Sequence, residues 1–578
     1  MAFDGIAVST IVKELNEALI SARTNKIYQI DTCTIVLNLR IPGATKKLII
    51  SADPRYPRIY ISEQDFEYPA APPAFCMLLR KYLEPSRILA FKQYQLERLI
   101  EISFETFDPE YGNSEKKLIF ELMGRHSNII LIDHNKVILD AVKRNNHSYV
   151  RQVMPGLKYQ KPFTKVKYNP KEHTKDKFID TVRLLSGNIK LSTGLVQLYQ
   201  GLGPETAKEI IRRAGLNPNV LKADTNISDY EKLWYSFNDF INFPGNPVLV
   251  LEPKPEFYAY RLTDVTYQKE YSSLNSLLND FYTAKIHSEE LRRQSNSLLK
   301  PLKIQLERLI RKEEIQRNTL KQASKAATWQ KLGELLLANI YRIKKGDRIL
   351  EAVDYYQPTQ PVISIELDPK LTPGENSQRY FKKYSKTKRS QGITKRQLQK
   401  TISERNYIEE IMVHIEQAES LSALAEIKEE LIKAGYLHQK VSTSKEKKHK
   451  KTPLRYDEYI SSDGIVILVG RNNHQNDYLT FKAARADDIW LHAQKLPGSH
   501  VIIRADSSIP EQTLLEAATL AAYYSKARTL AKAIVDYTQR KHVKKPAGAK
   551  PGFVIYNSFN SITVEPTNSD NLPKKNRP

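Results

Sequence analysis

Residues 469–503 read VGRNNHQNDYLTFKAARADDIWLHAQKLPGSHVII. Strand-like apolar runs border this block, and a Pro497-Gly498 turn feeds directly into the β-branched run Val501-Ile502-Ile503, which is strand and turn chemistry. Between the runs, polar groups crowd together. Asn472, Asn473, Gln475 and Asn476 offer hydrogen-bond donors and acceptors, and Trp490 and His492 offer flat faces for stacking on a base or ribose. Arg471, Lys482, Arg485 and Arg504 offer phosphate contacts. Asp487 and Asp488 precede the Trp490 strand, and His500 closes the turn. The competing reading of Trp490 is core packing; with His492, His500 and four amides nearby, RNA contact is the expectation. The block therefore predicts a mixed α/β RNA-binding domain over 453–566.

The rest of the chain supports a polyanionic partner. Its 578 residues allow several domains with cores of their own. Lys and Arg number 89 against 65 Asp and Glu, a net charge of +24, and neutralising phosphates releases condensed counterions. A merely basic cytosolic protein is the alternative, but the basic residues fall in discrete segments. One such face comprises Lys526, Arg528, Lys532, Arg540, Lys541, Lys544, Lys545 and Lys550, around the loop at 546–549. Cys33 and Cys76 are the only cysteines, too few for a disulfide framework or a four-cysteine zinc site. No stretch approaches the ~18 apolar residues of a membrane helix, and residues 1–5 lack the features of a secretory signal. The expectation is a cytoplasmic protein with no membrane partner.

Moving outward, the pattern predicts an α+β multidomain chain. Residues 1–180 mix strands (34–39 and 47–50 about a Pro42-Gly43 turn, 96–104, 128–132) with a helix over 75–83. Over 181–225, Gly201-Leu202-Gly203-Pro204 joins two helical runs in the manner of a helix-hairpin-helix insert. Gly201 and Gly203 permit a tight turn, and the following helix start can hold a phosphate; a plain helical hairpin is the alternative. The first domain resumes over 226–272. From 273 to 440, Leu299, Leu302, Leu306, Leu309, Leu320, Ala323 and Ala327 form one apolar seam, interrupted by Glu313 and Gln316. Ile408, Ile411, Ile415, Ala418, Ala425 and Ile432 form a second. With the Pro-rich stretch 346–374 between them, they predict a long antiparallel coiled-coil arm with a non-helical tip. A Lys-rich linker (441–452) and a polar, disordered tail (567–578) complete the organisation.

Enzyme chemistry is poorly served. No nucleophile elbow, P-loop or dinucleotide glycine pattern occurs, and His492 and His500 lack the partners a zinc site needs. No catalytic residue, metal or cofactor is expected. Near the N-terminus, Glu97-Arg98 on a strand reads as an ordinary ion pair, whereas Glu121 and the Gly124-Arg125-His126 cluster bring a guanidinium and an imidazole to a strand entrance.

Ordered motifs along nearly the whole chain resemble the NFACT family of ribosome quality-control factors. Phe3-Asp4-Gly5, the segment 75–81 and the segment 121–128 resemble its N-terminal domain, and Gly201-Leu202-Gly203-Pro204 its helix-hairpin-helix. Tyr380-Phe381-Lys382-Lys383-Tyr384 resembles the arm, and 487–492 with 497–500 the C-terminal domain. The resemblance implies a non-enzymatic adaptor that binds large ribosomal subunits obstructed by peptidyl-tRNA. It also implies recruitment of alanyl-tRNA, so that the subunit adds a C-terminal alanine tail marking the nascent chain for degradation. Glu97, Arg98, Glu121, Arg125 and His126 would contact tRNA; Arg471, Asn472, Asn473, Asp487, Trp490, His492, His500 and Arg504 would contact ribosomal RNA. One departure is that family members commonly carry Asp-Arg where this chain has Glu97-Arg98. The N-terminal domain also resembles, in fold only, that of formamidopyrimidine-DNA glycosylases, whose amine nucleophile is a proline where this chain has Ala2. Relatives are also called fibronectin-binding adhesins, so fibronectin is the alternative partner.

Overall fold

The computed structural model describes residues 3–108, 112–146, 151–162, 166–242, 245–323, 326–438, 456–504, 508–567 and 573. The chain divides into two compact units, 1–287 and 288–578.

The first unit opens with α1 (Gly5–Leu19), whose Ile11, Leu15 and Leu19 recur at helical spacing and are fully buried. Nine strands follow: β1 (Arg23–Gln29), β2 (Thr34–Ile41), β3 (Ala44–Ser51), β4 (Arg58–Ser62), β5 (Arg87–Gln93), β6 (Leu99–Asp108), β7 (Gly112–Glu121), β8 (Asn128–Ile132) and β9 (Ile138–Ala141). They make one antiparallel sheet in the order β4-β3-β2-β1-β5-β6-β7-β8-β9. The Pro42-Gly43 turn joins β2 to β3, with Gly43 at φ 76° where an L side chain would be strained. Helix α2 (Ala74–Leu83) buries Phe75, Cys76, Leu79 and Leu83.

Four further helices follow, α3 (Lys175–Arg183), α4 (Leu191–Leu198), α5 (Pro204–Arg213) and α6 (Ile227–Asn242); α3, the end of α4 and α6 meet at an aromatic core of Phe178, Tyr199, Trp234 and Phe237, and α5 buries Ala207, Ile210 and Ile211. Helices α4 and α5 occupy the segment read as a helical hairpin. The small sheet of β10 (Val248–Val250), β11 (Glu256–Tyr258) and β12 (Gln268–Glu270) precedes α7 (Leu274–Ala323). Glu14 of α1 accepts the Leu274 and Asn275 amides at 2.7 and 2.8 Å, satisfying the start of α7.

In the second unit, α7 is followed by α8 (Ala326–Ala338), the hairpin β13 (Ile349–Val353) and β14 (Val362–Glu366), α9 (Pro373–Glu416) and α10 (Leu421–Lys433). A capping box of Thr372 and Glu375, with Pro373 in the first turn, starts α9. The helices run antiparallel: Leu299, Leu302 and Leu309 pack with Tyr407, Ile408, Ile411 and Ile415, while Ser377 bonds Gly333 O at 3.1 Å. Glu313 is buried in this seam and accepts Arg405 at 2.9 Å, so the interruption of the apolar repeat is a paired charge layer. The predicted seam drifts at both ends. Ala326 is buried in place of Ala327, and Leu424, Ile427 and Leu431 are buried in place of Ala425 and Ile432. The second of these shifts follows from the break at 417–420, after which α10 begins with a new phase.

The C-terminal sheet contains β15 (Asp457–Ile460), β16 (Val466–Val469), β17 (Ile489–Ala493), β18 (Val501–Ile503), β19 (Ala533–Gln539) and, after the short pair β20 (Val543–Lys544) and β21 (Ile555–Tyr556), β22 (Asn560–Val564). Its order is β15-β16-β18-β17-β19-β22. One face (Ile467, Val469, Leu491, Val501, Ile503) packs on the alanine-rich helix Glu511–Tyr523. The opposite face carries Leu468, Trp490 and Ile502. The Lys-rich linker at 441–452 and most of the predicted tail lie outside the described residues. No helix among the described residues is long and apolar enough to cross a membrane.

Candidate nucleic-acid interface

Asp4 organises the polar site of the first unit. Its Oδ1 accepts the Ile6 and Ala7 amides, both at 3.1 Å, as the N-cap of α1. Its Oδ2 accepts the Gly203 amide at 3.1 Å and the Thr206 hydroxyl. One carboxylate thus caps both α1 and α5. Burial pushes its pKa up, opposed by the bonds from Thr206, Ala7, Gly203 and Ile6. Beside it, Gly5 N donates to Gly201 O at 2.8 Å. A Cβ on Gly5 would lie 2.0 Å from Leu96 O and 2.4 Å from Gly201 Cα, which is why glycine stands there. The Gly201 and Gly203 turn is present, but the Gly203 amide expected to face a phosphate is already taken by Asp4. That correction follows from a contact between residues far apart in the chain.

The same close approach builds a cavity of about 410 Å³, lined by Asp4, Gly5, Glu97, Arg98, Lys167 and the 201–204 turn, among others. Glu97 and Arg98 lie in the turn between β5 and β6 rather than on a strand, with Glu97 N bonded to Tyr94 O at 2.9 Å. Gln93 Nε2 donates to Gly5 O and Glu97 O at 2.9 and 3.0 Å, holding the turn against α1. Burial pushes the Glu97 carboxyl up, with the charges of Lys167 and Arg98 opposing. Lys167, whose Nζ bonds Val196 O at 2.6 Å, carries no sequence signal that would have marked it.

The other three expected tRNA contacts divide. Glu121 ends β7 beside this turn, where Leu122 N bonds Arg98 O at 2.9 Å. It is 1% exposed, and accepts Arg151 Nη1 at 3.1 Å, Arg151 Nη2 and the Tyr159 hydroxyl. Its oxygens are engaged inside the fold, so direct RNA contact is corrected to a buried ion pair. Arg125 and His126, in the 3-10 turn Gly124–His126, are exposed and bonded to each other at 3.0 Å.

In the second unit, most of the residues expected to meet RNA face inward. Trp490 is 0% exposed, because the helix Asn473–Tyr478 and the π-helical turn Leu479–Ala483 fold over its side of the sheet, with Leu479 and Phe481 against it. Stacking on a base is corrected to core packing. His500 is buried, edge-on to Trp490, and bonds the Thr480 hydroxyl through Nδ1 at 2.7 Å. His492, half-buried, stacks beside Trp490 with ring centroids 5.6 Å apart.

The amides bind the domain to α10. Asn472 and Gln475 donate to Glu426 Oε2, each at 2.9 Å, and Asn473 donates to Glu430 Oε1 at 3.2 Å. Asn476 accepts the His500 amide at 3.0 Å. Arg471 packs 3.8 Å over the Tyr524 ring and pairs with Glu419 at 3.2 Å, and Arg504 pairs with buried Asp488 at 3.1 Å. These are structural contacts in place of the expected RNA contacts. Asp487 is exposed and pairs with Lys541 at 3.3 Å. Lys482, Arg485, Lys526, Lys532 and Lys544 are exposed cations.

The pattern described as NFACT N-terminal and middle domains matches residues 4–451, and that described as NFACT protein RNA binding domain matches 455–558. The chain is 37% identical over 571 residues to the Rqc2 homolog RqcH of Bacillus subtilis (strain 168), covering 98% of both. It is 34% identical over 576 residues to the Rqc2 homolog RqcH of Streptococcus suis (strain 05ZYH33), again covering 98% of both. Among solved structures, it is similar to the C-terminal part of the fibronectin/fibrinogen-binding protein from Streptococcus suis. That likeness has 34% identity and a TM-score of 0.39, over 48% of this chain and 96% of that one.

Proposed function

The chain belongs to the NFACT family, and on that premise we propose that it is a cytoplasmic ribosome quality-control factor that binds obstructed large ribosomal subunits. In this reading it is an adaptor: it recruits alanyl-tRNA beside the peptidyl-tRNA, and the subunit itself forms the peptide bonds of the alanine tail. The likeness to the Bacillus subtilis protein along the whole chain carries the proposal. The cavity supports it, since Glu97 and Arg98 share one concave surface with Lys167 and the 201–204 turn. A guanidinium can grip a phosphate in two-pronged fashion, and Glu97 can orient it or accept a hydrogen bond from ribose.

The test separates two activities. The Glu97→Ala, Arg98→Ala double variant is expected to sediment with large subunits in a sucrose gradient while losing bound tRNA and alanine tailing. Glu97→Asp, which restores the commoner pair, is expected to tail at least as well as the parent. Normal tailing by the double variant would remove this turn from the tRNA site, and absence of the parent chain from the large-subunit fraction would sink the ribosomal reading.

A further inference from the structure

Glu97 lines its cavity half-buried, and among the described residues nothing donates a hydrogen bond to its carboxylate. Burial works against the charge, and two cations work for it, Lys167 first and Arg98 second. The other acids nearby are engaged. Asp4 caps two helices, and Glu121, beside the turn, is held by Arg151 and Tyr159. Lys161 lies over the Tyr94 ring at the start of the same turn, 3.1 Å from its centroid.

Several bonds fix the segment that carries Lys167. Tyr168 N donates to Leu198 O at 2.8 Å, Gln200 N donates to Tyr168 O at 3.0 Å, and Gln200 Nε2 donates to Lys167 O at 3.2 Å. Residues 167 and 168 are thereby stitched to the stretch that leads into Gly201, which lines the same cavity. The Lys167 ammonium donates to Val196 O at 2.6 Å. A carbonyl is neutral, so this bond fixes the ammonium without cancelling its charge. A phosphate gripped by Arg98 brings a negative charge beside the Glu97 carboxylate and offsets the help of the guanidinium. Lys167 is then the cation left to hold Glu97 ionised.

We propose that Lys167 is a positioning residue of the tRNA site, whose fixed ammonium holds Glu97 as a hydrogen-bond acceptor for ribose or base while Arg98 holds phosphate. The role rests on the proposed tRNA contact of Glu97 and Arg98, and deepens it by adding a residue that acts through Glu97.

The experiment uses the full chain and a labelled, uncharged alanine-accepting tRNA, with binding followed from about pH 8 down to about pH 5 across the range in which a raised carboxyl takes up its proton. Lys167→Met keeps the length of the side chain and removes its charge. Without that cation the Glu97 carboxyl is raised further and takes its proton earlier as pH falls. Loss of binding should therefore begin at higher pH than in the parent, with affinity about five-fold lower at the acid end. Lys167→Arg should restore the parent profile. In a Glu97→Gln background, Lys167→Met should change nothing further. His126 is the same in every variant, so differences between profiles do not come from it. Thermal midpoints are read beside each profile, because poorer folding lowers binding at every pH without moving the profile. A parent-like profile for Lys167→Met, equal weakening at every pH, or a further loss in the Glu97→Gln background would each overturn the inference. If the parent binds no tRNA, the tRNA reading itself falls and this role with it; if the parent binds and Lys167→Met matches it, only this role falls.

Discussion

Trp490 and His492 project from one face of β17, and what covers that face decides their chemistry. With Leu479, Ile502 and Val543 around it, the indole is core. Trp490→Ala is expected to destabilise the protein by about 3–5 kcal/mol, read as a lower denaturant midpoint, with RNA affinity per folded molecule unchanged. Weakened RNA binding at unchanged stability would restore the stacking role.

Around that core, titratable groups are held against their usual charge states. Burial, with Arg471 and His492 adding to it, lowers His414 to about 3; burial lowers His492 to about 4 and drives His500 down as well. Burial and the Glu430 and Asp477 carboxylates raise Glu410 to about 8. The signs oppose each other. The unfolded chain takes up histidine protons that the folded one refuses, so stability is lost as pH falls from 6.5 towards 4. The unfolded chain releases a Glu410 proton that the folded one keeps, so stability is also lost as pH rises from 4.5 to about 8. Glu410→Gln is expected to flatten the alkaline limb of a midpoint-versus-pH curve and leave the acid limb in place. An unchanged alkaline limb would clear Glu410 of this role. None of this was legible in the sequence, since His414 and Glu410 meet the C-terminal domain only through tertiary packing. Glu97 and Arg98 were legible from resemblance, while Lys167 reaches the same cavity from an unpatterned segment.

At the scale of elements, continuous apolar, β-branched runs beside turn residues marked β2, β3 and β8, whose runs are buried on both faces and not alternating. The helical seam was legible only while the helix stayed unbroken; a period cannot show that α9 ends at Glu416 and α10 restarts at Leu421, five positions on. The amide cluster 472–476 was visible as polar but misassigned. Its acceptors, Glu426 and Glu430, stand on another element, and hydrogen-bond partners are not encoded locally. Helix α1 and the 201–204 turn provide a direct test of close packing. Gly5→Ala is expected to cost about 3 kcal/mol or more, since overpacking against backbone cannot be relieved by a rotamer change. A thermal midpoint equal to the parent's would show that the turn yields freely.

For the whole molecule, a net charge of +24 makes RNA affinity a salt-dependent quantity. If about six phosphates are neutralised, raising salt from about 50 to 200 mM should weaken binding roughly 10³-fold. A flat response in a salt titration of tRNA binding would deny the exposed cations that role.

The doubly used Asp4 carboxylate has a consequence for how the protein is made. Asp4 and Gly203 are 199 positions apart, and Asp4 and Thr206 are 202 apart. A ribosome translating this chain therefore delivers α1 long before the turn and helix that share its cap, and the close approach of Gly5 to Gly201 waits equally long. The beginning of the protein is finished only after a third of it has been synthesised. The first helix of this chain thus stays open through a long stretch of its own translation.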